Sequence, residues 1–181
     1  MLRRLVGSEM CIRDRDKMEA IDRLLAIEEI RNLKHKYFRA IDMADYELLS
    51  TIFTDDISVD YRGGTYRWQA SGKDEIITSM KYSFHDQTCA MHTGHHPEIE
   101  IIDSKNAEGL WYLHDIFYNF NENIITHGTA LSKDKYIYQD SKWLIQFSEY
   151  DRISESIEPI AKDQKFTKVH LKEHGIKLEK K

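Results

Sequence analysis

The stretch from Cys89 to Ile153 constrains the fold most, because strand-forming residues run through nearly all of it. Three short polar segments divide this stretch into four strands: Asp103–Asn106, Asn121–Asn123 and Gln139–Ser141. Long consecutive strands joined by short turns predict an antiparallel sheet of hairpins. We expect strands of this length to curve strongly.

Helical patterns precede these strands. Apolar residues recur at helical spacing from Lys17 to about Ile41, where no Pro or Gly interrupts them and Asp16 can cap the start. The next elements are a short helix (Tyr46 to Phe53), a hairpin (Ile57–Tyr61 and Thr65–Ala70 around Gly63-Gly64) and a third helix (about Lys73 to Phe84). Helices followed by hairpin-linked strands are typical of the α+β class. We therefore predict an α+β fold, in which a strongly curved, mostly antiparallel sheet wraps over the long helix and leaves a cavity at one end.

The composition excludes several classes of protein. The 181 residues carry 26 Lys+Arg against 31 Asp+Glu, a net charge of −5, whereas a nucleic-acid-binding protein needs a clustered basic excess. No apolar stretch approaches the roughly 20 residues of a membrane span. Two cysteines exclude a disulfide scaffold and favour a reducing compartment, so we expect a cytoplasmic protein.

We expect one domain, residues 16–158, with a further segment on each side. Residues 1–15 share no periodicity with the helix after them and resemble translated sequencing-adapter read-through, which predicts a non-native or disordered leader. Removing their four basic and two acidic residues leaves 22 basic against 29 acidic residues, a net charge of −7. Residues 159–181 form a lysine-rich C-terminal tail with little apolar periodicity, which predicts an arm or a disordered segment.

Asp115 is a candidate functional acid because of its place in the alternation of one strand. One face of the strand that begins at Asn106 carries Gly109, Trp111, Leu113, Asp115 and Phe117. A lone carboxylate among large apolar side chains is costly unless it is paired or protonated. The alternative is that Asp115 faces solvent and the opposite face of the strand forms the core.

The histidine-rich segment Met91–Pro97 invites a metal-site interpretation, but its spacing argues against one. His92 and His95 fall on opposite faces of an extended strand, so they cannot share a metal ion without a sharp bend. We therefore predict no metal. A single inward-facing His92 is a candidate general base, because its unperturbed pKa lies near 6.5. The alternative is a core histidine whose ring is satisfied by the backbone.

Tyr37 and Asp42 lie about 140° apart around the first helix. They can reach one pocket only if the helix ends near Asp42, which the polar segment Asp42–Asp45 allows. Otherwise Asp42 is a solvated residue of the last turn and Tyr37 is ordinary core. Tyr61 and Arg152 lie on strands where either face is open to them, and arginine is more often a surface residue.

Together these segments resemble the SnoaL-like branch of the nuclear-transport-factor-2-like superfamily, over about residues 20–160. Ile27–Asp42 is similar to the first helix of that family, and Met91–Glu100 followed by Gly109–Asp115 is the most specific block. Trp143 and Tyr150–Ile153 also fit. Within the branch, the chain is most similar to the bile-acid 7α-dehydratase type and more distantly to scytalone dehydratase.

The resemblance implies a pocket formed by six residues, all present here: Tyr37, Asp42, Tyr61, His92, Asp115 and Arg152. It implies a cofactor-independent dehydratase that removes water from a hydroxylated carbonyl or enone compound. For such an elimination we expect His92 to be the base, oriented by Asp42, with Tyr37 and Tyr61 donating hydrogen bonds to substrate oxygens. Asp115 would donate a proton, and Arg152 would either anchor an anionic end of the substrate or hold Asp115 ionised.

The expected partner is a small apolar or polycyclic substrate such as a steroid, because Tyr61, Trp111 and Phe117 would give the pocket an aromatic lining. The same pocket could serve a ketosteroid-isomerase-like or polyketide-cyclase-like enzyme. A third possibility is a non-catalytic module that binds a small ligand, although a pure binder has no need of a base and its orienting carboxylate. The resemblance also implies a cone-shaped α+β barrel and a homo-oligomer, a trimer or a dimer. From the charge and the lack of a long apolar stretch we expect no nucleic-acid and no membrane partner.

Overall fold

The structure, a computed structural model, describes residues 19–177 and has the predicted α+β architecture. The expected leader, residues 1–15, lies outside the described residues. In chain order the elements are α1 (Ala20–Asp42), α2 (Tyr46–Ile52), β1 (Phe53–Arg62), β2 (Arg67–Ser71), α3 (Lys73–Ser83), β3 (Thr88–Ile101), β4 (Asn106–Asn119), β5 (Ile124–Gln139), β6 (Lys142–Pro159) and α4 (His170–His174). None of the described helices is long and apolar enough to cross a membrane.

The six described strands form one sheet in the order β2-β1-β6-β5-β4-β3. All neighbouring strands are antiparallel except β1 and β6, which run parallel. β1 begins at Phe53, earlier than the predicted Ile57, because Phe53 already pairs with Ile145 of β6. The pairing register shifts within the β1–β6, β3–β4 and β5–β6 pairs. Such irregularities bend and twist strands, and they allow this sheet to curve.

Helix α1 packs its apolar stripe against the sheet, chiefly against β3. Ile30, Phe38 and Ile41 are buried in this contact. Gly94 of β3 allows the close approach, since a Cβ added there would come within 2.5 Å of the Phe38 ring. The helix therefore lies close to β3 over its C-terminal half. Its first turns differ from the predicted apolar stripe, because Ile21 and Leu24 are about two-thirds exposed.

The C-terminal segment differs from the expected arm or disordered tail as far as the structure describes it. After β6 the chain forms α4, where Leu171 is 2% exposed, and Val169 is also buried. Phe166 packs edge-on against Tyr118 and Phe120 with ring centroids 5.1 Å away. A few well-placed apolar side chains anchor this segment, even though lysine dominates its composition.

Candidate active site

A cavity of about 470 Å³ lies between α1, α3 and the inward face of the sheet. This volume falls within the range of small-molecule sites. Six of the eight predicted site residues line it: Tyr37, Tyr61, His92, Asp115, Phe117 and Arg152. Asp42 does not line the cavity itself but contacts His92, which does. Trp111 is the exception among the predicted aromatic lining, because it is fully buried beneath the cavity, where its indole N–H donates to Tyr136 Oη at 3.0 Å.

His92 and Asp42 form a pair that joins β3 to the end of α1. His92 Nδ1 lies 2.6 Å from one carboxylate oxygen of Asp42, and the His92 backbone N–H donates to the other at 3.0 Å. With Asp42 ionised, Nδ1 carries the proton and Nε2 is free to accept one. Tyr37 and Asp42 can serve one site only if the helix ends near Asp42, and α1 does end at Asp42. Tyr37 lines the cavity, whereas Asp42 reaches His92 from behind.

The imidazole of His92 is also held by aromatic rings. Phe38 stacks parallel to it with ring centroids 6.4 Å apart, and Phe84 meets it edge-on at 5.8 Å. Ring contacts on two sides and the Asp42 bond on Nδ1 fix the plane of the imidazole. Among the residues that the structure describes, Nε2 of His92 has no hydrogen-bond partner, so this nitrogen is available to a ligand in the cavity.

Two tyrosine hydroxyls meet in the cavity lining. Tyr37 Oη and Tyr61 Oη lie 2.7 Å apart, and Tyr61 Oη donates to Ser148 Oγ at 3.3 Å. Burial raises the pKa of Tyr61 to about 12, and burial together with the neighbouring Tyr61 raises the pKa of Tyr37 well above its ordinary value. Both hydroxyls therefore keep their protons at neutral pH and remain hydrogen-bond donors.

Asp115 faces inward, as the strand alternation predicts, and is paired rather than isolated. It is 5% exposed, and Arg152 Nη1 lies 2.9 Å from its carboxylate. Arg152 Nε also donates to Glu155 at 3.0 Å. Arg152 is therefore not the surface residue that its type favours, because it has two carboxylate partners inside the fold. Burial alone would lower the pKa of Arg152, but the charge of Asp115, the hydrogen bond that Arg152 donates to it and the nearby Tyr150 and Tyr66 together outweigh burial and raise this pKa.

Gly128 provides the space for this ion pair. It faces Asp115 across the β4–β5 register, and a Cβ added there would overlap Arg152 Nη1 and Asp115 Oδ1. A larger residue at this position would push the guanidinium away from the carboxylate. The pair thus depends on a glycine in the middle of β5.

A second buried ion pair reaches the same cavity through its lysine and was not predicted from the sequence. Lys34 of α1 is 1% exposed, and its Nζ donates to Asp134 Oδ1 at 2.9 Å and to Ser132 Oγ at 3.3 Å. The signal was present, because Lys34 occupies a position on the apolar stripe of α1 between Ile30 and Phe38. A lysine on a buried stripe requires a partner.

Among residues 19–177 no group of three or more His, Cys, Asp or Glu side chains is arranged to hold a metal ion. The site within this part of the chain therefore consists of a histidine–aspartate pair, a tyrosine pair and two buried ion pairs around an aromatic cavity.

A long helix under a curved six-stranded sheet, with a histidine–aspartate pair opening into the enclosed cavity, defines a class of small α+β domains. The chain belongs to the SnoaL-like domain family, whose sequence pattern matches residues 22–149.

Solved structures share the fold at low sequence identity. Hexachlorocyclohexane dehydrochlorinase LinA-type3 from Novosphingobium barchaimii superposes with a TM-score of 0.70 at 14% identity, covering 83% of this chain and 99% of that one. A candidate scytalone dehydratase from Novosphingobium aromaticivorans has a TM-score of 0.62 at 19% identity, covering 74% of this chain and 88% of that one. At these identities the likeness concerns the fold.

Proposed function

We propose that this protein is a cofactor-independent lyase that eliminates water from a hydroxylated carbonyl or enone substrate. The observation that carries the proposal is the His92–Asp42 pair, whose free Nε2 belongs to a cavity that also presents the Tyr37 and Tyr61 hydroxyls. A base and hydrogen-bond donors around one apolar cavity are the groups that an enolate-forming elimination needs. The fold shared with a dehydrochlorinase and a candidate scytalone dehydratase supports a lyase.

In the first step His92 Nε2 takes a proton from a carbon conjugated to the substrate carbonyl. The electrons of that C–H bond move onto the carbonyl oxygen, and the Tyr37 hydroxyl stabilises the negative charge by donating a hydrogen bond to this oxygen in exchange for its bond to Tyr61, whose own proton is donated to Ser148. Asp42 holds the ring in the tautomer that can accept the proton and stabilises the imidazolium that forms. No group outside the chain is needed for this step.

In the second step the electrons return and break the bond between carbon and the hydroxyl group. The proton that His92 has taken passes to the departing hydroxide, so the products are water and the unsaturated ketone, and His92 is neutral again. The expected role of Asp115 as proton donor is therefore replaced in this proposal. The carboxylate of Asp115 is ion-paired with Arg152, which favours the role of Arg152 in holding Asp115 ionised over the role of anchoring an anionic substrate. Both residues line the cavity.

The proposed substrate is flat and mostly apolar, because aromatic rings from α1, β1, β4 and the residue that follows α3 line the cavity: Tyr37, Tyr61, Phe117 and Phe84. A steroid or another polycyclic ketone has this shape. As the SnoaL-like resemblance implies, the proposal includes a homo-oligomer, trimeric or dimeric, and as the composition suggests, a cytoplasmic enzyme.

A second candidate is elimination of hydrogen halide from a similar apolar substrate. A halide ion leaves without needing a proton, and Asp115, which the sequence suggested as the proton donor, is ion-paired with Arg152. The fold relatives include a hexachlorocyclohexane dehydrochlorinase, which fits this chemistry. The base would again be His92.

The proposal is tested by dehydration assays on 7α-hydroxy-3-oxo-4-ene steroids and hydroxylated aromatic ketones, followed through the absorbance of the new conjugated double bond. We expect turnover that falls by about 10²–10⁴-fold in His92→Ala. His95→Ala is the matched control, because His95 is exposed on the same strand. Equal turnover by the wild type and His92→Ala would remove the base from the mechanism, and hexachlorocyclohexane turnover without dehydration would select the second candidate.

A further inference from the structure

Lys34 places a buried ammonium beside the tyrosine pair. Its Nζ lies 4.8 Å from the centre of the Tyr37 ring and 5.1 Å from that of Phe38, and the residue lines the cavity together with Ser132. Tyr37 in turn contacts Tyr61 through its hydroxyl. The charged group and the two phenolic donors therefore serve the same part of the cavity.

The charge of Lys34 is compensated by Asp134, on the side of the ammonium that faces away from the cavity. Asp134 is 2% exposed and does not line this cavity, so the ammonium stands between the carboxylate and the open space. Tyr136 Oη donates to Asp134 Oδ2 at 2.7 Å, and Trp111 donates to Tyr136, so the carboxylate is held in place by a second layer of hydrogen bonds. The pair forms a fixed dipole whose positive end faces the cavity.

The contact of the ammonium with Ser132 is the one that a ligand in the cavity can replace. A lysine has three N–H donors; Nζ lies 2.9 and 2.7 Å from the two carboxylate oxygens of Asp134 and donates to Ser132 Oγ at the longer distance of 3.3 Å. A buried ion pair that serves only packing is replaceable by apolar residues without loss of stability. A desolvated ammonium over the Tyr37 ring, which can exchange its Ser132 contact for a ligand oxygen, is instead suited to stabilise negative charge that develops on that oxygen.

We propose that Lys34 is a further substrate-binding residue, which donates a hydrogen bond to the substrate oxygen that becomes negatively charged, alongside Tyr37. No proton is transferred in this contact. The inference deepens the proposed function and rests on it in assigning the cavity to an enolate-forming substrate. It also assigns the substrate class, an uncharged carbonyl compound, because Asp134 neutralises Lys34 and two carboxylates surround Arg152.

The test uses 2-naphthol, a flat aromatic whose ionised oxygen imitates an enolate and whose naphtholate form is distinguished by absorbance and fluorescence. The variants are Lys34→Met combined with Asp134→Asn, which removes both charges, and Lys36→Met as the matched control on the exposed side of α1. Naphthalene, which lacks the oxygen, reports whether the cavity is intact. Thermal unfolding reports whether each variant is folded.

In the wild type and in Lys36→Met we expect bound 2-naphthol to ionise at lower pH than free 2-naphthol. In the double variant we expect naphtholate affinity to fall about 10-fold or more, the effect of losing a hydrogen bond to a charged group, while naphthalene affinity stays the same. Equal naphtholate affinity in the wild type and the double variant, or a parallel loss of naphthalene affinity, would overturn the role of Lys34, as would a wild type that binds no naphthol. A naphtholate preference without any dehydration or dehalogenation activity would instead contradict the proposed function and leave the oxygen-binding role of Lys34 supported.

Discussion

Asp42 holds His92 through both of its carboxylate oxygens, one 2.6 Å from Nδ1 and the other accepting the backbone N–H at 3.0 Å. The contact joins the last residue of α1 to the middle of β3. The contact therefore has two effects: it fixes the position of β3, and it fixes the tautomer of the His92 ring.

Asp42→Asn tests the orienting role. An amide keeps the size of the side chain but removes the charge that stabilises the protonated imidazole and favours the Nδ1–H tautomer. We expect kcat for dehydration to fall by about 10²–10⁴-fold with little change in KM. Asp22→Asn, exposed on the same helix, is the control. Unchanged kcat in Asp42→Asn would show that the carboxylate has no part in the reaction.

The buried tyrosines predict loss of stability in alkali. Burial raises the pKa of Tyr61 from 10.0 to about 12, so between these values the folded state binds more protons than the unfolded state. The contribution of Tyr61 to the free energy of unfolding is therefore fully present below pH 10 and is lost as the pH rises through about 12. Denaturant titrations between pH 9 and pH 12 should show this fall, and Tyr61→Phe should make it shallower. Tyr82→Phe, at an exposed position, should leave the slope unchanged.

Gly128→Ala should separate Arg152 from Asp115. The new methyl group occupies the space of the guanidinium and the carboxylate oxygen, and one of them must move. We expect a destabilisation of about 1–3 kcal/mol in chemical denaturation, together with lower dehydration activity. Thr129→Ala changes the neighbouring residue of β5 and controls for strand effects. A Gly128→Ala protein with wild-type stability would mean that the pair has room to rearrange without cost.

Lys34→Met alone and in combination with Asp134→Asn should differ in stability. The single change leaves an unpaired buried carboxylate and should cost about 3–5 kcal/mol, whereas the double change removes both charges and should recover most of this loss. Urea denaturation of the two proteins measures the difference. If the single and double variants are equally stable, Lys34 and Asp134 are not energetically coupled in the folded protein.

The secondary structure could be predicted well because it depends on local periodicity. Alternation along Asn106–Asn119 placed Asp115 on the buried face, and helical spacing identified α1 up to its end near Asp42. The same local patterns could not say that Leu24 would remain exposed or that Leu171 would be buried, because exposure depends on whether another element covers the residue.

The sequence by itself determined the α+β class, the long helix, the curved hairpin sheet and, through the family resemblance, the residues Tyr37, Tyr61 and His92 that line the cavity. Only the tertiary structure decided how the charges are paired. Lys34 meets Asp134 across 100 positions of the chain, and Arg152 meets Asp115 across 37. These partners lie on different elements, so no local pattern connects them, and their pairing depends on how α1 and the strands pack together. That packing turned Asp115 from an expected proton donor into the partner of an arginine, and it placed an unforeseen lysine in the cavity.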